Sequence, residues 1–142
     1  MRIAKLLVTA AVLTALLTAV SASAAELTVH LSEVRASGGV IKLALVDSQA
    51  AFDGKAPPLQ ATGAAPNGES ATFIFKNLAP GSYAVMATHD ENGNGKMDSN
   101  ALGMPQEGYG FSNNPRVMRK PTWDEARFEV VQAGTAIDIV LR

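Results

Sequence analysis

Apolar and polar residues alternate with a period of two along most of residues 26–142. In residues 26–34, Leu27, Val29 and Leu31 alternate with polar neighbours, which is the pattern of a strand with one buried face. Further strands are predicted in the same way at 40–47, 71–78, 82–89, 126–131 and 135–141, and one short strand is expected near 59–62 within a long connection at 48–69 that has no period. No long stretch shows the 3.6-residue period of an amphipathic helix. The pattern therefore predicts an all-β protein.

Turn residues separate these predicted strands. "SGG" at 37–39, "APG" at 79–81 and "AG" at 133–134 supply the conformations that tight turns need, and the last predicts a closing hairpin between 126–131 and 135–141. Residues 90–120 are rich in Gly, Asn and Pro and predict an irregular connection. Thr122 and Glu125 have capping-box spacing, which predicts one helical turn. We expect a single antiparallel β-sandwich of about seven strands.

The N-terminal residues have the organisation of a signal peptide. Arg2 and Lys5 precede an uncharged, mostly apolar run over 6–20, and Ala22 and Ala24 then provide a small-x-small cleavage pattern. The alternative is an uncleaved anchor, but a spanning helix needs about 20 apolar residues. We therefore predict a signal peptide at 1–24, a β-sandwich domain at 25–142, and export to the periplasm or the medium.

Composition limits the partners and the chemistry. Removing Arg2 and Lys5 from the 12 basic residues leaves 10 against 13 acidic ones, a net charge of −3 for residues 25–142. With no basic stripe and few aromatic residues, nucleic acid is not an expected partner. Without an amphipathic helix, neither is a membrane after cleavage. The chain has no Cys, so packing alone must hold the fold.

The stretch "HDENGNGKMDSN" at 89–100 has the ligand spacing of a calcium loop. If Asp90 is position 1, Gly95 falls at position 6, where an EF-hand loop bends sharply. Calcium collects six to eight oxygens, and this spacing supplies them at alternate residues. The candidate ligands are Asp90, Asn92, Asn94, the Lys96 carbonyl and Asp98.

The match to a calcium loop is incomplete. Position 12 is Ala101, where the pattern requires a bidentate Glu, so a carboxylate from elsewhere must complete the site, and Glu107 is the first candidate. The alternative is a metal-free turn, because Asn and Gly adopt positive φ easily. With few carboxylates, the expected calcium affinity is weak, about 10⁻⁴ to 10⁻³ M.

Catalytic motifs are not visible. His89, Glu107 and Asp124 could serve a small envelope hydrolase or carbohydrate-active protein, but the sequence has neither "GxSxG" nor "HExxH". We expect a non-catalytic protein. In "EGYGFSNNP" at 107–115, Tyr109 and Phe111 either plug the core or form a sugar- or peptide-binding surface.

The stretches "HDENGNGKMD" and "PQEGYGFSNN", followed by "PTWDEARFEV", closely resemble a bacterial family catalogued as domain of unknown function 2141. The resemblance covers about 26–142. It implies export to the bacterial envelope and a compact β-sandwich of the prealbumin-like or immunoglobulin-like kind, and it carries over no activity. The expected function is that of a binding or accessory module whose partner is an unidentified envelope protein or glycan, with a metal-free interaction module as the alternative.

Overall fold

The computed structural model describes residues 24–35 and 37–142. Eight strands and two short helices follow one another along the described chain. The strands are β1 Ala25–Ser32, β2 Val40–Val46, β3 Gln60–Ala64, β4 Ala71–Leu78, β5 Gly81–Asp90, β6 Gly108–Phe111, β7 Phe128–Val130 and β8 Thr135–Val140. The helices are α1 Gln49–Phe52 and α2 Trp123–Ala126. The predicted all-β class is confirmed.

The strands form two sheets. One has the order β4-β1-β8, and the other has the order β3-β2-β5-β6, with β7 also paired to β5. Neighbours pair antiparallel, except that β1 and β8 run parallel, with Leu27 opposite Thr135. The N-terminal and C-terminal strands of the described chain therefore lie side by side.

The main core lies between the sheets and follows from the alternation in the sequence. In β1, Leu27, Val29 and Leu31 are buried, and residues of β2, β4, β5 and β8 complete the same cluster. A second, smaller cluster packs α1 and α2 against the outer face of the larger sheet, around Phe52 and Ala84. The edge-on contact of Phe52 with Trp123, at a ring-centroid distance of 6.2 Å, joins the two helices.

Two predictions, one about strand pairing and one about secondary structure, were wrong. The 126–131 and 135–141 segments do not form a hairpin, because β7 pairs with β5 and β8 pairs with β1. The turn at "AG" is present, and Gly134 N–H donates to the Val131 carbonyl, but it carries the chain from one sheet to the other. The second error is β6, which lies in a region predicted to be irregular.

The predicted helical turn is α2, and its capping box is formed. The Thr122 hydroxyl accepts the Glu125 N–H, and the Glu125 carboxylate accepts the Thr122 N–H. The Arg119 guanidinium, which donates two hydrogen bonds to the same carboxylate, and the Thr122 N–H lower the pKa of Glu125 to about 2. The segment before α2 is thereby tied to the helix.

The predicted signal peptide lies almost wholly outside the described residues. In the part of the chain that the structure covers, no helix has the length and apolar character needed to span a membrane.

Ser112 joins three elements from a buried position just after β6. Its hydroxyl accepts the Val85 N–H of β5 at 2.9 Å and donates to the Ala126 carbonyl of α2 at 2.6 Å. We expect Ser112→Ala to lower the free energy of unfolding by about 1 to 2 kcal/mol, because both buried backbone groups lose a partner. Urea unfolding beside exposed Ser70→Ala tests this. Equal stability of the two variants would contradict it.

Candidate functional site

The loop at 90–98 is wound around the side chain of its first residue. Asp90, at the end of β5, is buried. Its Oδ1 accepts the Asn94 N–H at 3.1 Å, and its Oδ2 accepts the Gly95 N–H at 2.7 Å. Gly95 has a φ of +79°, the conformation that favours glycine. The carboxylate at position 1 therefore organises the turn at positions 5 and 6.

Polar side chains at alternate positions of the loop converge on Asp98. The amide of Asn92 donates to one Asp98 oxygen, and the amide of Asn94 lies 3.0 and 3.1 Å from the two oxygens. The oxygens of both amides are turned inward along the loop, because Asn92 Oδ1 accepts the Asn94 N–H and Asn94 Oδ1 accepts the Lys96 N–H. Three of the residues predicted as ligands are thus brought together.

Glu107 closes the base of the loop. This residue is also buried, and its carboxylate accepts two backbone N–H groups, that of Glu91 at 3.0 Å and that of Asp98 at 2.9 Å. Glu91 in turn accepts the Gly108 N–H at 3.1 Å. Glu107 therefore reaches the loop, as expected, but both of its oxygens already hold the two ends of the loop together.

A lysine faces the buried carboxylate from the neighbouring strand. Lys42 Nζ of β2 lies 3.8 Å from Asp90 Oδ2. Lys42, Asp90 and Glu107 line the same small cleft of about 160 Å³, together with Thr88, Gly95, Lys96 and Met97. Half of the Lys42 side chain is exposed, so its attraction to Asp90 is screened by water.

The loop contains the oxygen-bearing side chains that the sequence predicts as ligands, but few of them are carboxylates. Among the described residues, no three His, Cys, Asp or Glu side chains are grouped so that they could hold a metal ion. A cation at this loop would depend on two carboxylates, Asp90 and Asp98, with amide and carbonyl oxygens for the rest. Calcium accepts such neutral oxygens, whereas magnesium demands a stricter geometry.

The three residues considered for hydrolysis have separate environments. His89 is fully buried, with its Nε2 2.8 Å from the Gly38 carbonyl. The Asp124 side chain is 81% exposed and pairs with Arg127, the residue that follows α2. Glu107 is engaged with the backbone of the loop. No contact in the described chain joins these three groups into one site.

Sequence reasoning overlooked Lys42 and the role of Glu91. Lys42 pairs with Thr88 in the β2–β5 register, so the outward-facing positions of two adjacent strands could have shown that it lies near Asp90. Glu91 pairs with Arg35 at 3.1 Å and accepts the Gly108 N–H, so it links the loop to the neighbouring segments.

The fold and loop define a small two-sheet β-sandwich with an amide-rich, acidic loop at the end of β5. A family model described as "Uncharacterized protein conserved in bacteria (DUF2141)" matches residues 29–138. The chain belongs to this family, and the resemblance inferred from its motifs is confirmed. No curated protein and no solved structure matches the chain.

Proposed function

We propose that this protein is an exported, non-catalytic binding module of the bacterial envelope and that its loop at 90–98 binds one calcium ion. The ligands in this proposal are Asp90, Asn92, Asn94, the Lys96 carbonyl and Asp98. Glu107 is the residue that holds the loop closed around them. The partner class is an envelope protein or a glycan, bound by the surface that the loop helps to order.

The observation that carries the proposal is the convergence of Asn92, Asn94 and Asp98 on one side of a turn organised by buried Asp90. A simple hairpin turn needs Gly and Asn for its backbone, but it does not need four oxygen-bearing side chains at alternate positions. Hydrogen bonds link these side chains without a metal, and an inserted calcium ion would exchange amide N–H donors for amide oxygens.

Calcium is expected to raise the melting temperature of residues 25–142 in a saturable way. At ten times a Kd of about 10⁻³ M, binding to the folded state alone adds about 1.4 kcal/mol, which corresponds to roughly 5 °C for a chain of this length. The measurement is differential scanning fluorimetry in EDTA, across a calcium titration, and in magnesium at matched ionic strength. Magnesium is expected to produce no saturable shift.

Asp98→Asn is the test variant, because it removes one ligand charge while keeping the shape of the side chain. Asp138→Asn is the matched control, since Asp138 is an exposed carboxylate on β8 of the other sheet. The calcium-dependent rise should disappear in the first variant and persist in the second. A flat response of the unmodified protein at 10 mM calcium, well above the expected Kd of about 10⁻³ M, would reject the calcium site in favour of a metal-free interaction module.

A further inference from the structure

The methionines of the described chain all lie around one cleft. The chain has five methionines, and the four after Met1 are Met86, Met97, Met104 and Met118. All four line a single cleft of about 450 Å³ on the outer face of the larger sheet. We call it the methionine cleft. It is distinct from the loop interior, although Met97 and Thr88 also line the small cleft that contains Asp90.

The four methionines of the methionine cleft come from three segments of the chain. Met86 lies on β5 and is the register partner of Phe111 on β6. Both residues line the cleft. Met97, within the loop at 90–98, and Met104 both come from the connection between β5 and β6, and Met118 comes from the segment between β6 and α2. Each side chain has three rotatable bonds ahead of its methyl group. The sulfurs can therefore turn toward a common point.

Hydrophobicity alone does not explain why methionine, rather than leucine, isoleucine or valine, lines this cleft. Residues 24–142 contain 21 Leu, Ile and Val residues, and of these only Val117 lines the methionine cleft. Three of the methionines are also exposed, by 38% for Met97, 45% for Met104 and 92% for Met118. A core filler would be buried. The common property of this set is the thioether, a soft and uncharged ligand.

The cations near the methionine cleft are engaged elsewhere. Arg119 donates to both oxygens of Glu125. Lys120 Nζ donates to the Phe52 carbonyl at 2.6 Å and lies 4.7 Å from the centre of the Phe52 ring. Buried Asp90 and Glu107 lie in the adjoining cleft. The charge of Arg119 is therefore balanced by Glu125, and the Lys120 ammonium is held at Phe52.

We propose that the methionine cleft binds one Cu(I) ion through the thioether sulfurs of at least three of its four methionines. Thioethers select soft Cu(I) over hard calcium or magnesium, so this site and the loop at 90–98 take different ions. Binding of Cu(I) here involves no change in its oxidation state. The proposal does not depend on calcium binding by the loop.

The test is competition for Cu(I), kept reduced by ascorbate under nitrogen, between the protein and the chromogenic chelator bicinchoninate. The unmodified protein should withdraw one equivalent of Cu(I). The Met97→Leu, Met104→Leu and Met118→Leu triple variant, which keeps the apolar surface, should bind at least about 100-fold more weakly because only one thioether remains. X-ray absorption of the bound copper should show a shell of sulfur neighbours. The triple variant should keep the melting temperature of the unmodified protein, so that lost binding reflects lost sulfur.

Two further variants separate this site from other sources of copper binding. His30→Gln removes an exposed imidazole on the other sheet and should leave the affinity for Cu(I) unchanged. Asp138→Asn, which changes an exposed carboxylate on the other sheet, should also leave it unchanged. Failure of the unmodified protein to compete for Cu(I), or equal binding by the triple variant, would overturn the proposal.

Discussion

Replacing Gly39 with alanine is expected to lower the free energy of unfolding by more than about 3 kcal/mol. Gly39 has a φ of +78°, and a Cβ at this position would lie 1.9 Å from the Asp90 carbonyl oxygen and 2.8 Å from the carbonyl carbons of Asp90 and Glu91. These are backbone atoms, so rotation of a side chain cannot relieve the collision. The turn before β2 would have to move away from the start of the loop at 90–98. Urea unfolding followed by circular dichroism measures the loss.

Two other glycines provide matched controls for this experiment. Gly54 has a φ of +73° with nothing near its missing Cβ, so Gly54→Ala measures the backbone penalty alone, about 1 kcal/mol. Gly38 would place its Cβ in ordinary contact, 3.7 Å from the Glu91 carbonyl oxygen, and its alanine variant should be nearly neutral. A Gly39→Ala variant no less stable than Gly54→Ala would show that the turn and the loop do not pack as described. If Gly39→Ala yields no folded protein while Gly54→Ala does, the expected collision is supported.

Glu107→Gln is expected to destabilise the fold by about 2 to 4 kcal/mol. The carboxylate accepts one backbone N–H with each oxygen, whereas the glutamine amide offers one oxygen and one NH₂ group. Either Glu91 or Asp98 then faces a donor with its own N–H in a buried position. The predicted loss exceeds that of a single neutral hydrogen bond because a charge-assisted pair of bonds is broken.

The control for Glu107→Gln is Glu26→Gln, which changes the same atoms on an exposed residue of β1 and should alter stability by less than about 0.5 kcal/mol. Amide hydrogen exchange gives a local measurement, because the Glu91 and Asp98 N–H groups should lose protection in the first variant and keep it in the second. Unchanged protection in Glu107→Gln would mean that another group holds the ends of the loop.

The strands with alternating apolar residues were predictable from the sequence. β6 was not predictable, because glycine occupies its inward-facing positions. Those positions are Gly108 and Gly110, both buried. A Cβ on Gly110 would lie 2.6 Å from Ile139 Cγ2 and 3.0 Å from the Val140 carbonyl oxygen. The strand keeps its period of two, but the crossing of β8 requires glycine where a strand normally shows an apolar residue.

Pairing partners were less predictable than strands. The "AG" turn after residue 131 correctly marks a reversal, but local turn chemistry cannot specify which sheet receives the next strand. The alternation of Ile137, Ile139 and Leu141 fits a position beside β1 in parallel as well as one beside β7 in a hairpin, because both bury the same face.

The candidate site, like the fold, was only partly predictable from the sequence. The oxygen spacing of Asp90, Asn92 and Asp98 follows directly from the sequence. The contacts of Glu107 do not, because its partners are backbone N–H groups that no side-chain pattern reveals. The methionine cleft could not be predicted for a related reason, since its four methionines are separated along the chain and line one cleft only through the placement of β5 and two loops.

The parallel pairing of β1 with β8 also determines when the fold can be completed. Leu27 and its partner Thr135 are separated by nearly the whole described chain, so β1 lacks one neighbour until β8 docks beside it. Closing so long a loop is slow compared with forming a hairpin. The three-stranded sheet is thus a late event in folding, and the chain remains open until these two distant segments meet.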